Sequence, residues 1–180
     1  MTRHRAAAAA AAVCMGAAVF GAAALAGSAA TTPTAPWPHG ARRCASCQRI
    51  SIHETIFHVG TSQWGTFVLK PLTKGPVKSD SGIFHYVWVS GAGTTQHGHD
   101  VAIDRGVDIL HGKHGILAIA RTLTLLDPAV RPTHGTSTWT VVGGNGAYLD
   151  LSGQGIGVTV VTRSETERTT YTGAVRRPLP

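Results

Sequence analysis

The chain has 180 residues, with 16 Lys and Arg against 9 Asp and Glu and a formal net charge of +7. Its first thirty residues hold 15 of the 25 alanines and no acidic residue; the other 150 carry 21 Thr, 14 Val, 19 Gly and no Met, and a net charge of +5. That length suffices for one domain, and the Thr/Val/Gly mixture excludes a helical bundle or a coiled coil, while no apolar run after residue 30 approaches the ~20 residues of a helical membrane span.

Thr2-Arg3-His4-Arg5 forms a basic start, residues 6–26 are uncharged and alanine-rich, and Ala26-Gly27-Ser28-Ala29-Ala30 puts the small residues Ser28 and Ala30 third and first before a cleavage point after Ala30. Residues 1–30 are therefore expected to be a signal peptide, making the protein secreted. A retained anchor is the alternative, disfavoured because alanine is weakly hydrophobic. Cys14 lies inside the apolar run and follows Ala11-Ala12-Val13, a poor lipidation motif. The excess of Arg over Lys, together with the alanines, suggests a high-GC bacterial source.

Residues 31–49 read as an extended Pro/Thr-rich linker carrying Cys44-Ala45-Ser46-Cys47. Half a zinc site needs a second pair of soft ligands, and no other cysteine follows residue 30. A redox dithiol needs a helix N-terminus, whereas a proline-rich stretch precedes this pair and a β-type run follows it. A short-range disulfide between Cys44 and Cys47 suits an exported chain best.

From residue 50 to residue 176 the pattern predicts an all-β domain. Candidate strands are Ile50–Val59, Trp64–Leu69, Ser81–Val89, Thr94–Asp104, Val107–His111, Ile116–Leu125, Thr136–Val142, Gly155–Thr162 and Glu165–Val175. Ser90-Gly91-Ala92-Gly93, Asp104-Arg105-Gly106, Asp127-Pro128 and Gly143-Gly144-Asn145-Gly146 are among the expected breaks. About eight short strands at this spacing mean an antiparallel meander, barrel or sandwich, of which a closed barrel would remove the free edges. Alternation assigns Ile156, Val158 and Val160 to a buried face and Gly155, Gly157 and Thr159 to a lighter one. Both faces of Ser81–Val89 are bulky, with Phe84, Tyr86 and Trp88 opposite Ile83, His85, Val87 and Val89. Cover is expected outside the wall there, from a partner subunit or from the same chain.

The segment from Trp139 to Gly155, Trp-Thr-Val-Val-Gly-Gly-Asn-Gly-Ala-Tyr-Leu-Asp-Leu-Ser-Gly-Gln-Gly, joins a strand to a glycine-rich turn, an aromatic residue and a second strand. Tyr148 and Leu151 are placed to plug one barrel end. This segment resembles the turn signature of the allene oxide cyclase and dirigent-like β-barrel group, and Gly112-Lys113-His114-Gly115-Ile116-Leu117 resembles the hairpin before it there. The resemblance spans about residues 50–176. It implies a calycin-type barrel of eight strands around a central cavity, assembled as a homodimer or homotrimer, with cyclisation or radical-steering chemistry in plant members. Asn145 and Asp150 depart from that signature, and it carries no catalytic residue over to this chain.

Site candidates are few. Glu54 stands on an apolar face with Ile50, Ile52 and Ile56, and Arg121 does so among Leu117, Ile119, Leu123 and Leu125. A buried carboxyl has a raised pKa and suits acid–base work; turned to the barrel mouth, Glu54 would instead pair with an arginine. Glu54 and Arg121 are thus the catalytic candidates. His97 and His99 would share one face if Thr94–Asp104 is a strand, two imidazoles to which His85, His111 or His114 would add a third; solvated hairpin histidines are the plainer reading, so no metal or other cofactor is expected. Tyr148, Trp139, His97 and His99 are the ligand-binding candidates. Asp104 and Asp127 are explained as turn residues.

The positive charge is scattered, with Arg42, Arg43 and Arg49 before the barrel and Arg176 and Arg177 after it, which argues against nucleic acid and leaves weak attraction to an anionic cell envelope. No nucleophile elbow, phosphate loop or dinucleotide fingerprint occurs. The expected function is binding of a small apolar or aromatic molecule in the barrel without catalysis. A cyclase- or isomerase-type enzyme and an envelope-associated structural barrel are the alternatives.

Overall fold

A computed structural model of the chain describes residues 46–59, 62–162 and 166–178. The expected signal peptide, the linker as far as Ala45 and hence Cys44 lie outside the described residues. Eight strands follow one another: β1 Gln48–Val59, β2 Ser62–Pro71, β3 Asp80–Gln96, β4 His99–Gly112, β5 Gly115–Leu126, β6 Thr133–Gly144, β7 Ser152–Val161 and β8 Glu167–Arg176. Each pairs antiparallel with its neighbours in sequence, and β1 pairs with β8, so the sheet closes into a barrel. The fold class is as the sequence predicts.

The strand boundaries differ at three predicted breaks. Ser90–Gly93 lies within β3, which has a bulge between Trp88 and Ser90; Asp104–Gly106 lies within β4; and Gly143-Gly144 still belongs to β6. The chain reverses instead at His97-Gly98, where both residues take positive φ (51° and 83°). Pairing of Gly91 to Gln96 with Asp104 to His99 outweighs the local turn preference of the glycines. Nine predicted runs thus become eight strands.

Two faces are also reassigned. On β7, Gly155, Gly157 and Thr159 are buried, whereas Ile156 and Val158 are half exposed. The reason is volume: a Cβ at Gly155 would stand 2.6 Å from Trp139 Nε1, and one at Gly157 would stand 2.5 Å from Tyr171 Cδ1. Trp139 on β6 and Tyr171 on β8 fill the space that these glycines leave, with ring centroids 6.4 Å apart, edge to face. On β3, Phe84 points inward and is fully buried, while Ile83, Val87, Trp88 and Val89 are exposed; no part of the described chain covers that outer face.

One half of the interior is a conventional core. Ile50, Ile52, Phe67, Leu69, Phe84, Leu110, Leu117, Ile119, Trp139 and Val175 pack there, as expected of an eight-stranded barrel just wide enough for side chains. Its end is closed by the glycine-rich segment. After β6, a short 3₁₀ turn, Gly146–Tyr148, drops Tyr148 beneath the barrel, and Leu151 is buried beside it. Gly146 has φ +55°, and a Cβ there would meet the His114 carbonyl at 2.6 Å, so the turn depends on glycine. Asn145 ties the turn to the β4–β5 hairpin: its Oδ1 accepts from the Ile116 N–H at 2.7 Å. Tyr148 Oη donates to Asp80 Oδ2 at 2.6 Å. Asp80 also accepts from the N–H groups of Ser81, Lys113 and His114, at 2.8, 2.9 and 3.1 Å. The signature motif therefore works as a lock between the first residue of β3 and the β4–β5 turn.

Candidate functional site: a polar layer inside the barrel

The other half of the interior is polar, and all eight strands contribute to it: Glu54 (β1), Gln63 (β2), Tyr86 (β3), Asp104 and Asp108 (β4), Arg121 (β5), Ser137 (β6), Thr159 (β7), and Glu167, Thr169 and Tyr171 (β8). Each sits on the inward face because its strand alternates in register with the apolar core positions. Glu54 follows Ile50 and Ile52, and Arg121 follows Leu117 and Ile119.

Arg121 is the hub. Its Nη1 donates to Glu167 Oε1 at 2.9 Å. Its Nε lies 3.6 Å from Asp108 Oδ1 and its Nη2 lies 3.9 Å from Asp104 Oδ2, contacts of charge rather than hydrogen bonds. The guanidinium carbon sits 4.3 Å from the centroid of the Tyr86 ring, a cation–π arrangement. Tyr86 in turn donates to Asp104 Oδ2 at 2.6 Å, and Tyr171 donates to Asp108 Oδ2 at 3.1 Å. Thr159 and Thr169 share a hydrogen bond of 2.8 Å across β7 and β8. Asp104, expected to be a turn residue, thus belongs to this layer, at its more exposed rim; Asp127 does occupy a turn, with φ 47°.

The two sequence candidates, Glu54 and Arg121, meet in this layer. Glu54 is buried rather than at the mouth, and neither of its oxygens has a hydrogen-bond partner among the described residues, since the one Tyr171 hydrogen goes to Asp108. Burial, and then the Asp108 charge, hold the Glu54 carboxyl well above the usual range against the pull of Arg121. Burial likewise pushes Asp108 up to about 6, while Arg121 and the Tyr171 hydroxyl hold it back. Arg121 keeps its charge: burial works against it, but Asp108, Tyr171 and Glu167 outweigh burial and raise its pKa. The layer therefore combines a carboxyl that favours its neutral form, a carboxylate titrating near 6, and a fixed cation.

No family model matches this chain, and neither a curated protein nor a solved structure matches it.

The remaining candidates are placed elsewhere. Tyr148 and Trp139 are buried in the core half; the Tyr148 hydroxyl is engaged by Asp80, and the Trp139 indole N–H has no partner among the described residues. His97 and His99 do not share a strand face. They lie on either side of the hairpin reversal, both exposed, and His99 Nδ1 contacts Asp127 Oδ2 at 2.8 Å. Among the described residues no group of three or more His, Cys, Asp or Glu is arranged to hold a metal. A surface recess of about 690 Å³ lies over the β2–β3 connection, lined by Gln48, Thr73, Gly75, Val77 and Lys78, away from the polar layer. Asp108, Glu167 and Tyr171 carry no sequence signal of their place in this layer, because a charged residue on an alternating strand ordinarily faces solvent.

Proposed function

We propose that the chain is an exported β-barrel that takes a small molecule at the polar half of its interior, the molecule being apolar or aromatic except for one polar group. The observation that carries this reading is a set of buried polar atoms without hydrogen-bond partners among the described residues: both Glu54 oxygens, Gln63 Oε1, Ser137 Oγ, and Asp108 Oδ1 with Arg121 Nε and Nη2, which meet only charge contacts of 3.6–3.9 Å. Each such group costs about 1–3 kcal/mol when it stays unmet, so a mixed donor–acceptor head group has much to gain there. Aromatic residues beside the layer, Tyr86 and Tyr171, would flank the apolar part. The likeness of the Trp139–Gly155 segment to allene oxide cyclase and dirigent-like barrels is consistent with such a ligand, but a fold-level likeness does not transfer activity.

A second reading, an isomerase- or cyclase-type enzyme, is favoured by one specific observation. Glu54 and Asp108 are carboxyls in one layer whose surroundings favour the neutral acid in the first and a base titrating near neutrality in the second. Such a division suits paired proton donation and abstraction. Glu54 would give the proton, Asp108 would take one, and Arg121 would stabilise negative charge developing on the ligand.

Assembly as a homodimer or homotrimer belongs to the same proposal. Its support is apolar side chains left outside the wall, among them Ile156 and Val158 on β7, 50% and 55% exposed. So does the Cys44–Cys47 disulfide, for which Cys47 not being a free thiol is the support. Native mass spectrometry of the secreted protein tests the reading. A retained small-molecule mass is expected, with the subunit count in the same spectrum. Ligand-free wild-type protein at every charge state would contradict it. Retained ligand with lost turnover in Glu54→Gln would select the enzyme.

A further inference from the structure

We propose that His85 and His111 form a two-imidazole chelate site for a late first-row divalent metal, Cu²⁺ foremost, on the outer wall of the barrel. The site is independent of the interior layer. β3 and β4 run antiparallel, with His85 opposite Ile109 and Ile83 opposite His111, so the two histidines are diagonal neighbours on one face. Their ring centroids are 5.3 Å apart and the rings are tilted by 59°.

The ring pairing separates these two from the other described histidines; exposure and the lack of a side-chain hydrogen bond they share with His97, His114 and His134. Both side chains are exposed, so an ion reaches them directly. Neither makes a hydrogen bond among the described residues, whereas His53 is engaged by Ser51 and Thr170, and His99 by Asp127. The cross-strand neighbours are Trp64, Ile83, Ile109 and Ile116, with Thr66, Val87, Val107 and Ala118 beyond them. None of these cross-strand neighbours carries charge, so no carboxylate among them turns the site toward hard ions; Lys113 follows two residues after His111. Neutral imidazole nitrogens suit copper, nickel and zinc, and among these the ordinary affinity order puts Cu²⁺ first. The wall of a closed barrel holds both ligands in place, and water fills the remaining coordination positions.

The test is a Cu²⁺ titration of the full secreted protein, followed by tryptophan fluorescence and by electron paramagnetic resonance. Trp64 stands directly across from His85, so quenching reports occupancy close to the site. The proposal expects one saturable ion per chain with two nitrogen ligands from this pair. His85→Ala or His111→Ala alone should weaken that binding by more than about tenfold, because losing even an outer-shell partner of a metal ligand costs that much. His134→Ala, an exposed histidine on β6, should leave it unchanged. Both altered positions are exposed, and circular dichroism checks that each variant folds. Wild-type affinity in either single variant, or no saturable site in the wild type, overturns the proposal.

Discussion

Arg121 donates to Glu167 at 2.9 Å with both side chains withdrawn from water, the guanidinium 1% and the carboxylate 6% exposed. Two further carboxylates, Asp108 and Asp104, lie within 4 Å of the same guanidinium. One cation thus holds together the polar end of a barrel whose other end is aliphatic and aromatic. Removing it leaves buried negative charge uncompensated. Arg121→Met is expected to cost about 3–5 kcal/mol in urea unfolding. Adding Asp108→Asn and Glu167→Gln to that variant should restore part of the loss; a single variant as stable as the wild type would show that the charges reach water.

Asp80 joins Tyr148, Ser81, Lys113 and His114 at the closed end. Asp80→Ala should destabilise by about 2–4 kcal/mol and Tyr148→Phe by about 1–2 kcal/mol, measured the same way. The pH dependence has a defined sign. Burial pushes the Asp80 carboxyl up, but its four hydrogen bonds prevail and hold it below its ordinary 3.8. Its contribution is therefore present above pH ~4 and is lost as pH falls through the lower folded value. Asp80→Asn should be less sensitive to acid below pH ~4 than the wild type.

Asp108 works in the opposite direction. Its folded value of about 6 exceeds the ordinary 3.8, so the folded chain binds more protons between those values. Its contribution is greatest below the ordinary value and declines as pH rises toward about 6. Asp108→Asn should remove that decline from a plot of unfolding free energy against pH. A slope unchanged by the substitution would place the carboxyl in water.

Gly157→Ala puts a methyl group against the Tyr171 ring. A loss of about 1–3 kcal/mol is expected, with the near-ultraviolet aromatic signal altered. A neutral substitution would mean that Tyr171 has room to move. Gly157 also shows where hydrophobic alternation misleads. Ile156 and Val158 read as the buried face, yet the interior at that level already holds Trp139 and Tyr171, and only glycine fits between them.

Much of the architecture is legible from local pattern. The strand-and-turn spacing gives an antiparallel all-β domain without deciding between barrel and sandwich, and the Trp139–Gly155 segment gives the plug under one end, with Tyr148 where a chain reversal through Gly146 puts it. Glu54 and Arg121 could be picked out because each interrupts an apolar inward face. Asp108 and Glu167 could not, since a charged residue on an alternating strand normally faces solvent, and their burial depends on an arginine supplied by another strand. The His97–His99 pairing failed for a similar reason: the glycines at 91 and 93 suggested a turn, but long-range pairing kept β3 extended and moved the reversal to His97-Gly98.

The raised pKa of the buried Glu54 carboxyl is the premise on which the acid–base reading rests, and its burial away from water is shared by the binding reading. The Glu54 side-chain carboxyl carbon, followed by carbon-13 NMR across a pH titration, reports that pKa directly. The signal should change position at a pH above the ordinary 4.5, and its midpoint should move down in Asp108→Asn, where the neighbouring negative charge is gone. A midpoint at the ordinary 4.5, indifferent to Asp108, would contradict the account.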